Sequence, residues 1–463
     1  MSHEACPIGP RGGELTDIDM FARRLLLPLV PELITDPDLV LEPRYASRYA
    51  DLVEAAASQH LGMMAELDQR TSFAERVASG KAAYVYLREY VPALSPDYWD
   101  WTDVLVDQLG DIPPGIEMTV IACVGLEFEQ DTIYHNLKQY GHQTKDHTAF
   151  EVVLYLNAQG SDSASVQQTM AEIARFQNDY PSVNLRAIGP VLLPPDPKLS
   201  TIKKTAMDAV VTRWAQSQQA DNPNYTIVSN DADAAYLHPE YLARYATEMA
   251  QHPETDIAVQ TMDLDHKAFR QLGAEFLLGS RVRQSVERQM DTNSGLFYPE
   301  GGDTALRPAV YCALGGLMPE LPYGEDYGLG KLLIHYRGGT HSLVKLAPCE
   351  VGIQTSARRP AYQYAQSIEA SYNSRDNVED NDAVHRVRYS ELETILPLEA
   401  RIALDISRIL ELFGGFGLPA DHPIVPALFT YYGVELESTA DGYVIHDASA
   451  YAQAYQRQFG GVV

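Results

Sequence analysis

The chain has 463 residues, 45% of them apolar, so it can bury a sizeable core without disulfide or metal staples. Its 63 acidic residues outweigh 35 basic ones for a formal net charge of −28, which excludes a general nucleic-acid or membrane-surface role. Local cations can still hold a nucleotide, because distant charge is screened beyond roughly 10 Å.

Taken in chain order, the pattern divides into three regions. Residues 1–112 read as a mainly helical N-terminal region: Ala46 to Leu67 lacks proline, and Leu52, Ala56, Leu61 and Met64 follow helical spacing. Asp111-Ile112-Pro113-Pro114-Gly115 then breaks any helix. Residues 113–370 alternate strands and helices. Met118–Val124, Phe150–Leu156, Val183–Ile188 and Tyr225–Val228 read as strands. Between them lie a helix after an Asp131 N-cap (Ile133, Leu137, Tyr140), one carrying Val166, Met170 and Ile173, and one over Ile202–Ala215. Pro239 suits the first position of the next helix, which carries Leu242, Tyr245 and Met249. Near-continuous apolar strands between amphipathic helices predict an α/β fold with a mostly parallel sheet covered on both faces. Further strands are expected at Ile257–Met262 and Ser342–Ala347. Residues 371–463 read as a polar linker and a helical C-terminal extension, with a helix from about Ser390 to Phe413.

The four cysteines (Cys6, Cys123, Cys312, Cys349) form no CxxC or Cys/His pattern, which predicts reduced thiols and no structural zinc. The apolar run Leu25–Val30 contains Pro28 and is too short to span a bilayer. A soluble, cytoplasmic protein without membrane insertion is expected.

The most informative local feature is Asp231-Ala232-Asp233, just beyond the fourth strand. Two carboxylates at the carboxyl end of a parallel strand stand at the crevice where open α/β sheets bind ligands. Hard oxygens there suit Mg²⁺ or Mn²⁺. Taken alone, such a turn more often serves as a helix cap. Around it, in order, stand Ile121 to Glu127 at the first strand and turn, Asn157 ending the second strand, and Lys203-Lys204 before Ala206 and Asp208. Gly315-Gly316, Gly324-Glu325-Asp326 and a basic segment ending in Arg358-Arg359 follow.

Over about residues 116–360 this arrangement resembles glycosyltransferase family 2 and its relatives with the GT-A fold. The resemblance implies a metal-dependent hexosyltransferase using a UDP- or GDP-sugar and a soluble acceptor. It implies Asp231 and Asp233 as metal ligands, with His341 as a further candidate. Gly125, Glu127, Asn157, Lys204, Asp231, Arg358 and Arg359 would contact the donor, Asp326 would be the base of an inverting transfer, and Glu325 would orient the acceptor. The helical additions suit acceptor recognition, a homo-oligomer interface or an enzyme partner. Two other readings remain open: a non-catalytic nucleotide- or sugar-binding protein on the same scaffold, and a phosphatase-like hydrolase with an aspartate nucleophile. The latter normally has Thr or Val two residues after its Asp-x-Asp, where this chain has Ala235.

Overall fold

The computed structural model describes residues 47–91, 94–160, 164–194, 198–265, 302–319, 321, 324–356, 435–439 and 442–445. The chain divides into two compact units. One comprises Asp51–Met262 with Phe297–Thr355, and the other Met1–Ala50, Asp263–Leu296 and Ser356–Val463. In the second, the described elements include an antiparallel pair, β9 (Leu436–Thr439) and β10 (Gly442–Ile445). The expected C-terminal helix lies outside the described residues.

From Asp51 onward the larger unit takes in most of helix α1 (Ser47–Arg70), then α2 (Phe73–Ala78), α3 (Ala83–Tyr90) and α4 (Tyr98–Leu109). A capping box starts α2: Ser72 Oγ accepts from the Glu75 amide at 3.3 Å and Glu75 Oε2 accepts from the Ser72 amide at 2.8 Å. The pairing satisfies amides that the first helical turn leaves without partners. Gly110, at φ 63°, ends α4. The breaker at 111–115 thus marks the passage from helices to sheet within one compact unit.

The sheet runs β3-β2-β1-β4-β7-β6-β8-β5. Its strands are β1 (Met118–Gly125), β2 (Phe150–Ala158), β3 (Asn184–Leu192), β4 (Thr226–Asp231), β5 (Tyr236–Leu237), β6 (Ile257–Asp265), β7 (Asp303–Leu306) and β8 (Leu343–Ser356). The first four are parallel, and β7 runs antiparallel to both β4 and β6. Every residue of β2 is buried, as expected for a central parallel strand covered on both faces. Each large aliphatic side chain so buried contributes about 1.5–3 kcal/mol. The mostly parallel α/β sheet is the one the sequence predicts.

Helices α5 (Ile133–Tyr140), α6 (Ala164–Asp179) and α8 (Tyr241–Gln251) connect the strands. Three local expectations are corrected. The residue before α5 is Thr132 rather than Asp131, its hydroxyl donating to the Glu129 carboxylate. Pro239 stands two residues before α8, which starts at Tyr241. On α6, Val166 and Ile173 are buried but Met170 is exposed.

Helix α7 (Leu199–Gln216) is buried almost all round, including Lys203, Lys204, Asp208 and Arg213. Buried charge is tolerable only when paired. Arg213 Nη1 lies 2.6 Å from Glu151, and its other nitrogens donate to the carbonyls of Gly110 and Asp111 at 2.6 and 2.7 Å. Lys204 lies 3.0 Å from Asp208, whose carboxylate also accepts from the Tyr98 and Tyr311 hydroxyls at 2.7 Å each. These links join α7 to the sheet, to α4 and to α9 (Pro308–Ala313). They fix the helix whose next lysine reaches the acidic turn.

Candidate active site

Asp231 is the last residue of β4, in register with Cys123 of β1. The turn behind it is held from α5: Asn136, fully buried, donates through Nδ2 to the carbonyls of Asp231 at 3.3 Å and Ala234 at 3.2 Å. Ala232 and Asp233 are both buried at 4% exposure, while the Asp231 side chain keeps 25% of its surface exposed. Beyond it the Ala235 amide donates to the Gln354 carbonyl at 2.7 Å, tying the turn to β8.

The Asp231 carboxylate faces Lys203. Oδ1 lies 3.3 Å from Lys203 Nζ. Oδ2 faces Gly302, where a side chain would clash: a Cβ would come within 2.7 Å of that oxygen. Lys203 Nζ also lies 2.9 Å from Glu325 Oε1, the two side chains being 8% and 2% exposed. Burial opposes the lysine's charge, but the carboxylates of Asp231, Glu325 and Asp326 overcome it and hold the ammonium well above its usual pKa.

Glu325 and Asp326 are the first two residues of α10 (Glu325–Arg337), where the helix dipole favours negative charge. Gly324 enters this helix at φ 74°, a left-handed conformation that a side chain disfavours. At the far end Arg337 forks onto Asp256 at 2.6 and 2.8 Å and anchors the helix. The Asp326 carboxyl is pushed well above the usual carboxylate range, first by burial and then by Glu325, although Lys203 and the amides of Tyr327 and Asp326 pull it down. Glu325 Oε2 is buried without a hydrogen-bond partner among the described residues. Cys123 borders the same cluster, and burial pushes its thiol up to about 12.

The structure thus brings Asp231, Glu325 and Asp326 around Lys203, with Asp233 at the same turn. Other expected donor contacts have local roles. Gly125 closes the turn after β1, its carbonyl accepting from the Phe128 amide at 2.9 Å. Glu127 Oε1 accepts from the amides of Gln159 and Gly160 at 2.6 and 3.0 Å, joining the loops after β1 and β2. Asn157 lies inside β2 beside Gly125, 6% exposed.

Two candidates lie apart from the Asp231 turn. Lys204, 1% exposed, pairs with Asp208 on another side of α7, whereas Lys203 meets Asp231. His341 is exposed at the start of β8. There Ser342 accepts from the amides of Asp256 and Ile257, beside the end of the sheet where β4 begins. Ile257 and Ile227 both pair with Leu306, so Asp231 stands four residues along β4 from that level, roughly 13 Å away. His341 therefore does not join Asp231 and Asp233. Arg358 and Arg359 lie outside the described residues. Sequence reasoning also missed Asn136 and Gly302, which have no motif of their own.

Among the described residues no three His, Cys, Asp or Glu side chains converge as a metal site. Asp231 and Asp233 provide hard oxygens but only two carboxylates. That donor set fits Mg²⁺ or Mn²⁺ shared with a diphosphate, since Mg²⁺ sites commonly combine one or two carboxylates with substrate phosphates and water.

Among the described residues, no helix is long and apolar enough to cross a membrane. No family model and no curated protein matches the chain. Among solved structures it is similar to S. aureus TarS 1-349 in complex with UDP-GlcNAc, at 17% identity and TM-score 0.36 over 66% of this chain and 74% of that one. It is also similar to the mannosyltransferase PcManGT from Pyrobaculum calidifontis in complex with GDP-Man and Mn²⁺, at 13% identity and TM-score 0.34 over 89% and 99%. A third is glucosyl-3-phosphoglycerate synthase from Mycobacterium tuberculosis in complex with Mn²⁺, UDP-Glc and phosphoglyceric acid, at 13% identity and TM-score 0.29 over 71% and 86%. Similarities at these TM-scores assign neither a substrate nor a catalytic residue to this chain.

Proposed function

We propose that this protein is a glycosyltransferase that moves a hexosyl group from a nucleotide-diphosphate sugar to the hydroxyl of a soluble acceptor. The observation that supports this reading is the cluster at the carboxyl end of β4, where Lys203 links Asp231 to Glu325 beside Asp326. Breaking a glycosyl–phosphate bond builds negative charge on the departing diphosphate. Asp231 and Asp233 would hold a divalent cation there, which supplies Lewis-acid stabilisation worth several kcal/mol. Arg358 and Arg359 would clamp a phosphate oxygen pair in the bidentate manner of guanidinium groups.

Asp326 accepts the proton of the attacking hydroxyl. Its raised pKa makes its ionised form a stronger base than an exposed carboxylate. Glu325 is fixed by Lys203 through one oxygen and offers the other to the acceptor. Direct attack aided by such a base inverts the anomeric centre.

The test is a panel of UDP- and GDP-sugars assayed for donor cleavage and transfer with and without Mn²⁺. Asp233→Ala should abolish Mn²⁺-dependent cleavage, and Asp326→Asn should lower the transfer rate by about 10²–10⁴-fold while donor binding persists. A bound nucleotide at about 100 times its Kd should stabilise the fold by about 2.7 kcal/mol. If no nucleotide shifts the melting temperature, the reading is wrong. Binding without turnover across the panel would mark a sugar-nucleotide binding protein instead.

A further inference from the structure

Asp231 already has a cation. Lys203 Nζ stands 3.3 Å from its Oδ1 and 2.9 Å from Glu325 Oε1, almost fully buried. The other Asp231 oxygen faces Gly302, where a side chain would crowd it. A divalent ion arriving at Asp231 therefore meets an ammonium at contact range, and repulsion between the two is strong where water is scarce. An incoming diphosphate carries enough negative charge to take over that ammonium.

We infer that Lys203 is a resident counter-cation that competes with the divalent ion for Asp231, so that metal binds weakly to the free protein and tightly once a nucleotide diphosphate engages Lys203. This rests on Asp231 being a metal ligand. Lys203 is then a positioning residue with two states. In the free protein it ties β4 to α10 and keeps the acidic cluster from collapsing under its own repulsion. In the loaded protein it neutralises phosphate. Binding of metal and nucleotide is mutually reinforcing, and linkage requires each to strengthen the other by the same factor.

The experiment measures Mn²⁺ binding through the paramagnetic resonance signal of the free aqueous ion, with no acceptor and no turnover. For wild type, saturating UDP or GDP should tighten Mn²⁺ binding at least tenfold. Lys203→Met should bind Mn²⁺ without nucleotide at least tenfold more tightly than wild type and lose most of the nucleotide-induced gain. The double variant Lys203→Met/Glu325→Gln keeps the net charge of the site. It should also bind Mn²⁺ more tightly than wild type, whereas a simple net-charge effect predicts no change. Lys203→Arg, which keeps the charge, should stay near wild type. Circular dichroism checks folding, and the double variant carries the comparison if the single one does not fold.

Unchanged or weaker Mn²⁺ binding by a folded Lys203→Met or double variant overturns the inference while leaving the metal site in place. So does wild-type binding that is equally tight with and without nucleotide. Failure of wild type to bind Mn²⁺ under any of these conditions overturns the metal-site reading itself.

Discussion

Lys203 and Lys204 are neighbours in sequence but serve carboxylates on different sides of α7: Lys203 lies 2.9 Å from Glu325, and Lys204 lies 3.0 Å from Asp208. The first pair is at the acidic turn. The second is in the packing between α7, α4 and α9. Removing one partner of a buried pair leaves an uncompensated charge, which typically costs about 3–5 kcal/mol. Lys204→Met should lower stability by about that amount, read as a lower urea midpoint, while Mn²⁺ affinity stays at the wild-type value. A changed Mn²⁺ affinity with unchanged stability would reverse the roles given to the two lysines.

Asp326 predicts a distinctive dependence on pH. Its folded pKa is raised, so the native state holds this proton more tightly than the unfolded chain does. That contribution is fully present below the unfolded value, near 3.9, and is lost as pH rises towards the folded one. Asp326→Asn should therefore lose less stability than wild type between pH 4 and pH 8. Transfer by wild type should rise with pH as Asp326 ionises, and that limb should vanish in the variant. Parallel stability profiles for the two proteins would remove the Asp326 carboxyl from the account.

Gly324 offers a backbone test. At φ 74° it enters α10 in a conformation that costs a side-chain-bearing residue about 1–2 kcal/mol. Gly324→Ala should lower stability by about this amount and reduce transfer further than the stability loss explains, because Glu325 and Asp326 follow directly. Transfer unchanged in a destabilised protein would separate the helix start from the chemistry.

The two ends of the sheet should respond differently. Asn136→Ala removes both side-chain bonds to the acidic turn and leaves the Asp231 and Ala234 carbonyls without them. Mn²⁺ and nucleotide should both bind more weakly, with a stability loss of about 1–3 kcal/mol. His341→Ala should change neither binding constant. Weaker Mn²⁺ binding on loss of His341 would contradict its place at the far end of β8.

The parallel half of the sheet was legible because near-continuous apolar runs such as Phe150–Leu156, broken only by Glu151, leave few alternatives. The same holds for α5, where Ile133, Leu137 and Tyr140 are all fully buried. Element starts were less clear: Thr132 and Glu240 occupy the positions just before α5 and α8, and neither side chain forms a cap. Within the site, Asp231, Glu325 and Asp326 were found through motifs. The choice between Lys203 and Lys204 was not legible, because a helix buried almost all round has no polar face by which to phase it. His341 lies apart for another reason: sequence places it near Gly324-Glu325-Asp326, but α10 carries the chain from Lys203 at Glu325 to Asp256 at Arg337, the end of the sheet where β4 begins.

The antiparallel pairing of β6 with β7, Ile257 against Leu306 and Ala258 against Ala305, has a consequence for how this protein tolerates change in length. The larger unit loses the chain after Met262 and regains it at Phe297, and adjacent strands flank this excursion. Lengthening the excursion needs no new crossover through the sheet. This junction is therefore where insertions and deletions among homologous chains should accumulate while the acidic turn keeps its register.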